Sequence, residues 1–204
     1  MAKAAERLSL RERNKLRTRQ EILNATLDVF NEDGFPGTSV DKIAELAGIS
    51  KGTVYVYFPD GLNDIYRELY ADITERLLKA TKEVRAKTPN PAQRIVAMAD
   101  ALLKLSAVPT YGRFYSVLSP ELRPVLTPVV GMASKQFVTL IATDLAEVLS
   151  ETADGEHRTS IAELIVGSMR EAGRIVSETP HRKESLIVAL KRIVGAIAGE
   201  DVPE

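Results

Sequence analysis

Apolar residues return at intervals of three and four along almost the whole chain, a spacing that builds amphipathic helices and leaves little from which to make a sheet. Ile22, Leu23, Thr26, Leu27 and Phe30 share one helix face, and Leu62, Ile65, Tyr66, Leu69, Tyr70, Ile73 and Leu77 share another. No segment alternates convincingly with period two, and no internal repeat or glycine-rich phosphate loop interrupts the pattern. The expected fold is all-α, with about nine helices.

Glycine and proline mark the helix ends. The first helix is expected to stop at Gly34 in the left-handed conformation, with Phe35 folded back over Phe30. Thr38 or Ser39 caps a second helix, Asp41 stands three residues after Thr38 in a capping-box arrangement, and Val40, Ile43, Ala44 and Ala47 form the apolar stripe up to Gly48. Ile49 then turns inward, and Ser50 caps a short third helix whose buried side is Val54 and Phe58. Pro59, Asp60 and Gly61 break the chain before a long fourth helix over residues 62–86. Beyond Thr88, a polar residue followed by proline is expected to open helices, at Asn90-Pro91, Ser119-Pro120, Thr127-Pro128 and Thr179-Pro180, while Ser160 and Glu163 read as a capping box. These signals predict helices over 91–107, 128–151, 160–178 and 180–199, with a broken stretch near 110–123.

A chain of 204 residues, 45% hydrophobic and 27% charged, has the composition of an ordinary globular protein of one large or two small domains. The start, MAKAAERLSLRERNKLR, has no apolar run fit for a signal peptide, and no later stretch stays both uncharged and apolar for membrane-spanning length, so a cytoplasmic protein with no membrane partner is expected. Without cysteine, and with only His157 and His181, the sequence offers neither disulfides nor the usual zinc ligands, and no cofactor is expected. The net charge of -1 argues weakly against nucleic acid, but it is an average over unlike parts. Residues 1–20 hold Lys3, Arg7, Arg11, Arg13, Lys15, Arg17 and Arg19 against Glu6 and Glu12, a balance of +5 that leaves -6 for the remainder. A basic arm of this kind fits an anionic surface, or else is simply a solvated terminus.

Between Ser39 and Phe58 two short helices meet at a tight turn. Ala44 is small where the second helix must approach closely, and Gly48 stands where the turn needs a positive φ. With Ile49 and Val54 in the wedge, the third helix turns Lys51, Gly52, Thr53, Tyr55, Val56 and Tyr57 to solvent. That face suits a DNA major groove, where the start of a recognition helix meets base edges while hydroxyls and cations hold phosphates. By periodicity alone, a helical corner within a bundle fits equally well, so residue identity has to decide.

Residues 17–60, RTRQEILNATLDVFNEDGFPGTSVDKIAELAGISKGTVYVYFPD, resemble the tetracycline-repressor (TetR) family of bacterial regulators. The resemblance lies in the Gly-Phe ending, Thr-Ser before a helix, Ile-Ala, Ala-Gly-Ile-Ser, and the Gly-Thr-hydrophobic-Tyr-x-Tyr-Phe close. It implies a helix-turn-helix DNA-binding domain over residues 1–61 and a helical effector-binding and dimerisation domain over 62–204. Carried over by position, it implies that Thr38, Ser39, Thr53 and Tyr57 contact phosphates while Lys51, Gly52 and Tyr55 face the bases or their flanks, with Lys51 able to donate to guanine O6 or N7. The chain departs from the family at FPDGLNDI: Gly61 and Leu62 stand, with one apparent extra residue, where a phosphate-holding lysine is usual. The basic arm, through Arg17 and Arg19, is the expected compensation.

In the same family the last two helices pack against their copies in a second subunit, so the resemblance implies a homodimer through residues 160–199, bound to a palindromic double-stranded operator. The stripes Ile161, Leu164, Ile165, Ser168, Met169, Ala172, Ile175, Val176 and Leu186, Ile187, Leu190, Ile193, Val194, Ile197 are the candidates. Each could instead be buried against its own chain. The middle helices supply an apolar set that is either core or the wall of an effector cavity, with Leu102, Tyr111, Arg113, Phe114, Tyr115 and Phe137 as candidate contacts for a small, mostly apolar molecule. An enzyme is the weaker reading, since the chain lacks a cysteine nucleophile, a Gly-x-Ser-x-Gly elbow and a phosphate loop. A helical DNA-binding or adaptor protein without an effector is the nearer alternative to a ligand-responsive repressor.

Overall fold

The computed structural model of the chain describes residues 9–116, 123–149 and 154–199. Among them are nine α-helices: α1 (Leu10–Gly37), α2 (Val40–Leu46), α3 (Lys51–Tyr57), α4 (Leu62–Ala86), α5 (Pro91–Ser106), α6 (Pro109–Ser116), α7 (Arg123–Val148), α8 (Gly155–Glu178) and α9 (Lys183–Ala198), with a 3-10 turn at Pro180–Arg182 and no strand. The chain divides into two compact units, Met1–Leu69 and Tyr70–Glu204. The division falls inside α4, because Ile65, Tyr66 and Leu69 in its first turns are buried with the helices that precede them.

In the first unit, the described part of the basic arm is helix. Ser9 opens α1 with a capping box: its hydroxyl accepts from the Glu12 N–H (3.2 Å) and the Glu12 carboxylate accepts from the Ser9 N–H (2.8 Å). Lys3 and Arg7 lie outside the described residues. Further along α1, Ile22, Leu23, Ala25, Leu27, Val29 and Phe30 are buried. Gly34 takes φ 68°, as expected of a helix ending, but helical bonding resumes for one more turn and the element closes at Gly37. Phe35 stacks at 5.7 Å, in a tilted arrangement, on Tyr66 of α4.

The second unit is built around α5, which touches α6, α7, α8 and α9. Ile95, Met98, Ala99 and Leu102 of α5 meet Phe137, Ile141 and Leu145 of α7, Ile165 and Met169 of α8, and Leu190 and Val194 of α9 in one core. Two proline signals hold: Asn90 accepts from the Gln93 N–H (2.8 Å) at the start of α5, and Pro180 opens the 3-10 turn that leads into α9. Two start signals do not. Pro128 lies inside α7 (Arg123–Val148) and does not open it. α8 begins at Gly155, capped by Asp154, which accepts from the His157 N–H (2.7 Å), while Ser160 is an interior residue donating to the Glu156 carbonyl (3.0 Å). The Ser119-Pro120 signal lies outside the described residues.

The most apolar long helix is α7: Pro124–Val148 has a mean hydropathy of 1.4 over its most apolar window, but Lys135, Asp144 and Glu147 interrupt it, so it is not an uncharged stretch. The apolar character is that of a core helix: Leu126, Val130, Ala133, Phe137, Ile141 and Leu145 recur every three or four residues and are buried, with α5 and α8 packed alongside. Asp144 lies on the same inward side with no exposed surface. Its carboxylate is held by Arg85 of α4, whose Nη2 donates at 2.8 Å and whose Nη1 also donates, and by Arg94 of α5 at 3.3 Å.

α6 crosses α8 at a close approach that depends on glycine. A Cβ on Gly112 would stand 2.0 Å from the Ser106 carbonyl oxygen and 3.3 Å from Ser177 Cβ, whereas a Cβ on Gly167 would meet nothing within 4 Å. Gly112→Ala is therefore expected to destabilise the chain by about 2 kcal/mol through overpacking. Gly167→Ala in the interior of α8 should be neutral or stabilising by up to about 1 kcal/mol. Urea titration of the two variants checks the contrast.

Candidate nucleic-acid interface

Three serine and glycine positions set the corner between α2 and α3. Ser39 caps α2, accepting from the Lys42 N–H (3.3 Å), and Ser50 caps α3, accepting from the Thr53 N–H (3.1 Å). Between them Gly48 takes φ 66°, a conformation costly for a residue with a Cβ, and the Ile49 N–H reaches back to the Ala44 carbonyl (3.0 Å). Val40, Ile43, Ala44, Val54 and Phe58 are buried beneath the corner, while Ile49 is half-buried. Burying Val54 and Phe58, four residues apart, leaves the opposite side of α3 to solvent.

On that side Lys51, Gly52 and Tyr55 are exposed, Val56 is 78% exposed, and Thr53 and Tyr57 are half-buried. The Thr53 hydroxyl lies 2.8 Å from that of Ser50, with which it shares a hydrogen bond. Lys51 Nζ donates to Asp41 of α2 at 2.9 Å, and that carboxylate holds the ammonium above its ordinary pKa. Gly61, at φ 58°, forms a shelf for Tyr55: a Cβ there would come within 3.3 Å of Tyr55 Cε1. The lack of a Cβ at Gly61 thus leaves room for the tyrosine ring beside the loop.

Thr38 immediately precedes the Ser39 cap of α2. It is 6% exposed, and its hydroxyl donates to the Gly34 carbonyl (2.8 Å), closing the turn at the end of α1. Ser39, half-buried, has its hydroxyl on the α2 cap. Of the seven predicted DNA-facing residues, Lys51, Gly52, Thr53, Tyr55 and Tyr57 come together on α3, and Thr38 and Ser39 flank α2.

Arg17 and Arg19 are not the loose cations of a flexible arm. Arg17 pairs with Glu21 at 3.5 Å on the helix surface. Arg19 makes a two-pronged ion pair with Glu68 of α4, donates through Nη1 to the Tyr57 carbonyl (3.0 Å), and lies 4.5 Å over the Phe58 ring. It thereby caps the end of α3 and ties it to α1 and α4. Sequence reasoning missed this clamp because its members are 38 and 49 residues apart. The start of α4 is acidic: Asp60 and Asp64 hold Arg67 at 3.0 and 2.9 Å.

The second unit contains a tight apolar cavity lined by Tyr70, Leu77, Leu102, Phe137, Val166 and Met169, with Ser134 and the exposed Arg170 as polar groups. Its volume is about 20 Å³, room for one or two waters on the scale where one takes roughly 10–15 Å³. Two predicted effector residues, Leu102 and Phe137, line it. Phe114 is fully buried and does not line it, and half-buried Tyr111 has the Arg76 guanidinium 5.9 Å over its ring. The side chains of Arg113 and Tyr115 lie outside what the structure describes.

Residues 22–60 match the sequence model of "Bacterial regulatory proteins, tetR family". Over 158 residues, 73% of the chain and 78% of the relative, the sequence is 28% identical to the HTH-type transcriptional regulator BetI of Burkholderia lata. Its fold is similar to that of a transcriptional regulator from Rhodococcus sp. Rha1, with TM-score 0.72, 22% identity and coverage of 91% of this chain and 99% of that one. It is also similar to FadR from Bacillus subtilis, solved in complex with stearoyl-CoA, with TM-score 0.68, 19% identity and coverage of 90% and 99%.

Proposed function

We propose that this chain, which belongs to the TetR family of bacterial transcriptional regulators, is a dimeric repressor that binds a palindromic operator and is released from it by a small, mostly apolar effector. The observation that carries the DNA-binding reading is the face of α3. Val54 and Phe58 anchor a short helix whose other side presents Lys51, Gly52, Thr53, Tyr55 and Tyr57 together. Lys51 and Tyr55 reach base edges, and Thr53 and Tyr57 hold the flanking phosphates, so the helix reads sequence while the hydroxyls fix its register.

One such helix reads only a few base pairs, and a dyad-related pair reads a palindrome with half-sites about one helical turn apart, or a multiple of it. Exposed apolar residues favour α8 and α9 as the dimer surface: Leu164 is 73% exposed, and Val188 and Ile193 are also open. The bound stearoyl-CoA of the Bacillus subtilis FadR supports an apolar effector for this fold. At its present size the cavity of Leu102 and Phe137 would have to widen to admit one, so the effector acts by favouring an opened form with lower operator affinity.

The test is binding of the purified chain to a palindrome taken from DNA beside its coding gene. Expected are a dimeric mass in sedimentation and a preference for that duplex over random competitor. Equal affinity for all duplexes, at low salt and without effector, would overturn the reading. Titrated small molecules that never change operator affinity would leave a repressor without an effector. A second expectation concerns Asp41, whose carboxylate holds Lys51. Asp41→Asn should tighten operator binding a few-fold, since the Lys51 ammonium no longer has to leave a carboxylate to reach a base edge.

A further inference from the structure

We infer that the first turns of α1 form a second phosphate-binding surface beside the recognition helix, in which Arg11 and Lys15 are the cations and Asn14 and Thr18 the neutral donors. The inference rests on the operator-binding reading above and extends it to a part of the chain outside the helix-turn-helix.

The first observation is where free positive charge remains. Among the described residues of the first unit, Arg17, Arg19, Lys42, Lys51 and Arg67 each pair with a carboxylate, of Glu21, Glu68, Asp33, Asp41, and Asp60 with Asp64. Arg11, Arg13 and Lys15 have no acid partner among the described residues, and all three stand in the opening turns of α1. The acid nearest them in sequence, Glu12, has its carboxylate on the Ser9 N–H.

The second observation is geometric. Arg11, Asn14, Lys15 and Thr18 recur at helical spacing and, with Leu10, line one wall of an open groove of about 660 Å³ whose other wall is Val56 and Tyr57 of α3. The groove is therefore continuous with the face proposed to enter the major groove. A sugar–phosphate strand flanking that major groove would run between the two walls, its phosphates against Arg11 and Lys15 and its sugars against Val56 and the Tyr57 ring. Because the turns are helical and capped by Ser9, the backbone that carries the cations is formed before DNA arrives. Around the start of α4 the cation is already engaged, because Arg67 pairs with Asp60 and Asp64.

The experiment compares wild type, Arg11→Ala plus Lys15→Ala, and Arg13→Ala, which lies off the groove wall. Affinity for the palindromic duplex and for a scrambled duplex is measured across a salt series by fluorescence anisotropy, with thermal unfolding as a check on fold. The double variant is expected to flatten the log–log salt slope by about 3.6, two cations from each of two subunits at about 0.9 per phosphate contact on B-DNA. It should weaken both duplexes to the same degree, since phosphate contacts carry no sequence information. An unchanged slope, or an equal change in Arg13→Ala, would overturn the inference while wild-type operator preference leaves the regulator reading standing. A wild type with no operator preference would sink both.

Discussion

Asp144→Ala is expected to lower the stability of the chain by about 3–5 kcal/mol, the cost of stranding a buried charge whose partner has been removed. The Asp144 carboxylate has no solvent exposure and lies between Arg85 of α4 and Arg94 of α5. Arg85 itself is only 15% exposed, and its Nη1 also rests against Met98 Sδ at 3.4 Å. Without the carboxylate, the Arg85 guanidinium keeps its charge in a site with little water to solvate it. Arg94 is better protected, because Glu147 (2.9 Å) and the carbonyls of Thr88 and Pro89 also hold it. The measurement is urea or thermal unfolding, where a loss of this size moves the midpoint by on the order of 10 °C. Replacing the pair together, Asp144→Leu with Arg85→Met, should recover most of the loss, since apolar groups of similar volume substitute for a buried pair at little cost. A midpoint within error of wild type for Asp144→Ala would show that this ion pair does not hold α4, α5 and α7 together.

The difference between what could be read in the sequence and what could not follows from range. Periodicity and end signals are local, so the fourth helix expected over 62–86 is α4, and the one expected over 91–107 ends at Ser106. The Ser9–Glu12 capping box was equally local, an S-x-x-E signature in the sequence, but the basic run around it was read as an arm instead of as helix. Ser160 and Asp154 show the limit of such signals: both can cap, and the helix opens at the earlier one, leaving Ser160 in its interior. Asp144 gave half a signal. An acid on the same face as Phe137, Ile141 and Leu145 must have a partner if that face is buried, but nothing near it in the chain says that the partners are Arg85 and Arg94. The exposed side of α3 could be read because it follows from which residues of the same short helix are buried. The burial of Thr38 could not, because its hydroxyl answers to the Gly34 carbonyl through the way α1 ends.

Arg19→Ala is expected to weaken operator binding by roughly 30- to 100-fold and to cost about 2–3 kcal/mol of stability, the scale of hydrogen bonds to charged groups with a cation–π contact added. The clamp is partly open to water, with the Arg19 and Glu68 side chains 32% and 29% exposed, so the cost falls below that of a fully buried pair. Its effect on DNA comes from position: the Arg19 Nη1 holds the Tyr57 carbonyl at the last turn of α3, and the same guanidinium is fixed by Glu68 of α4 and covers Phe58. Freed at that end, α3 would enter the groove over a range of angles, and the contacts of Lys51 and Tyr55 would be lost from most of them. Arg19→Lys should recover only part, because an ammonium cannot make the two-pronged bond and reach the carbonyl as well. The partner variant separates this role from direct phosphate binding by its sign. If Arg19 acts as a clamp, Glu68→Ala also weakens operator binding, and the double variant is little worse than either single one. If Arg19 instead holds a phosphate, removing the competing carboxylate tightens binding, and Arg19→Ala flattens the salt slope by about 1.8, one contact from each subunit. The clamp predicts an unchanged slope in both single variants, so two titrations on the same duplex decide between a residue that touches the DNA and one that aims the helix that does.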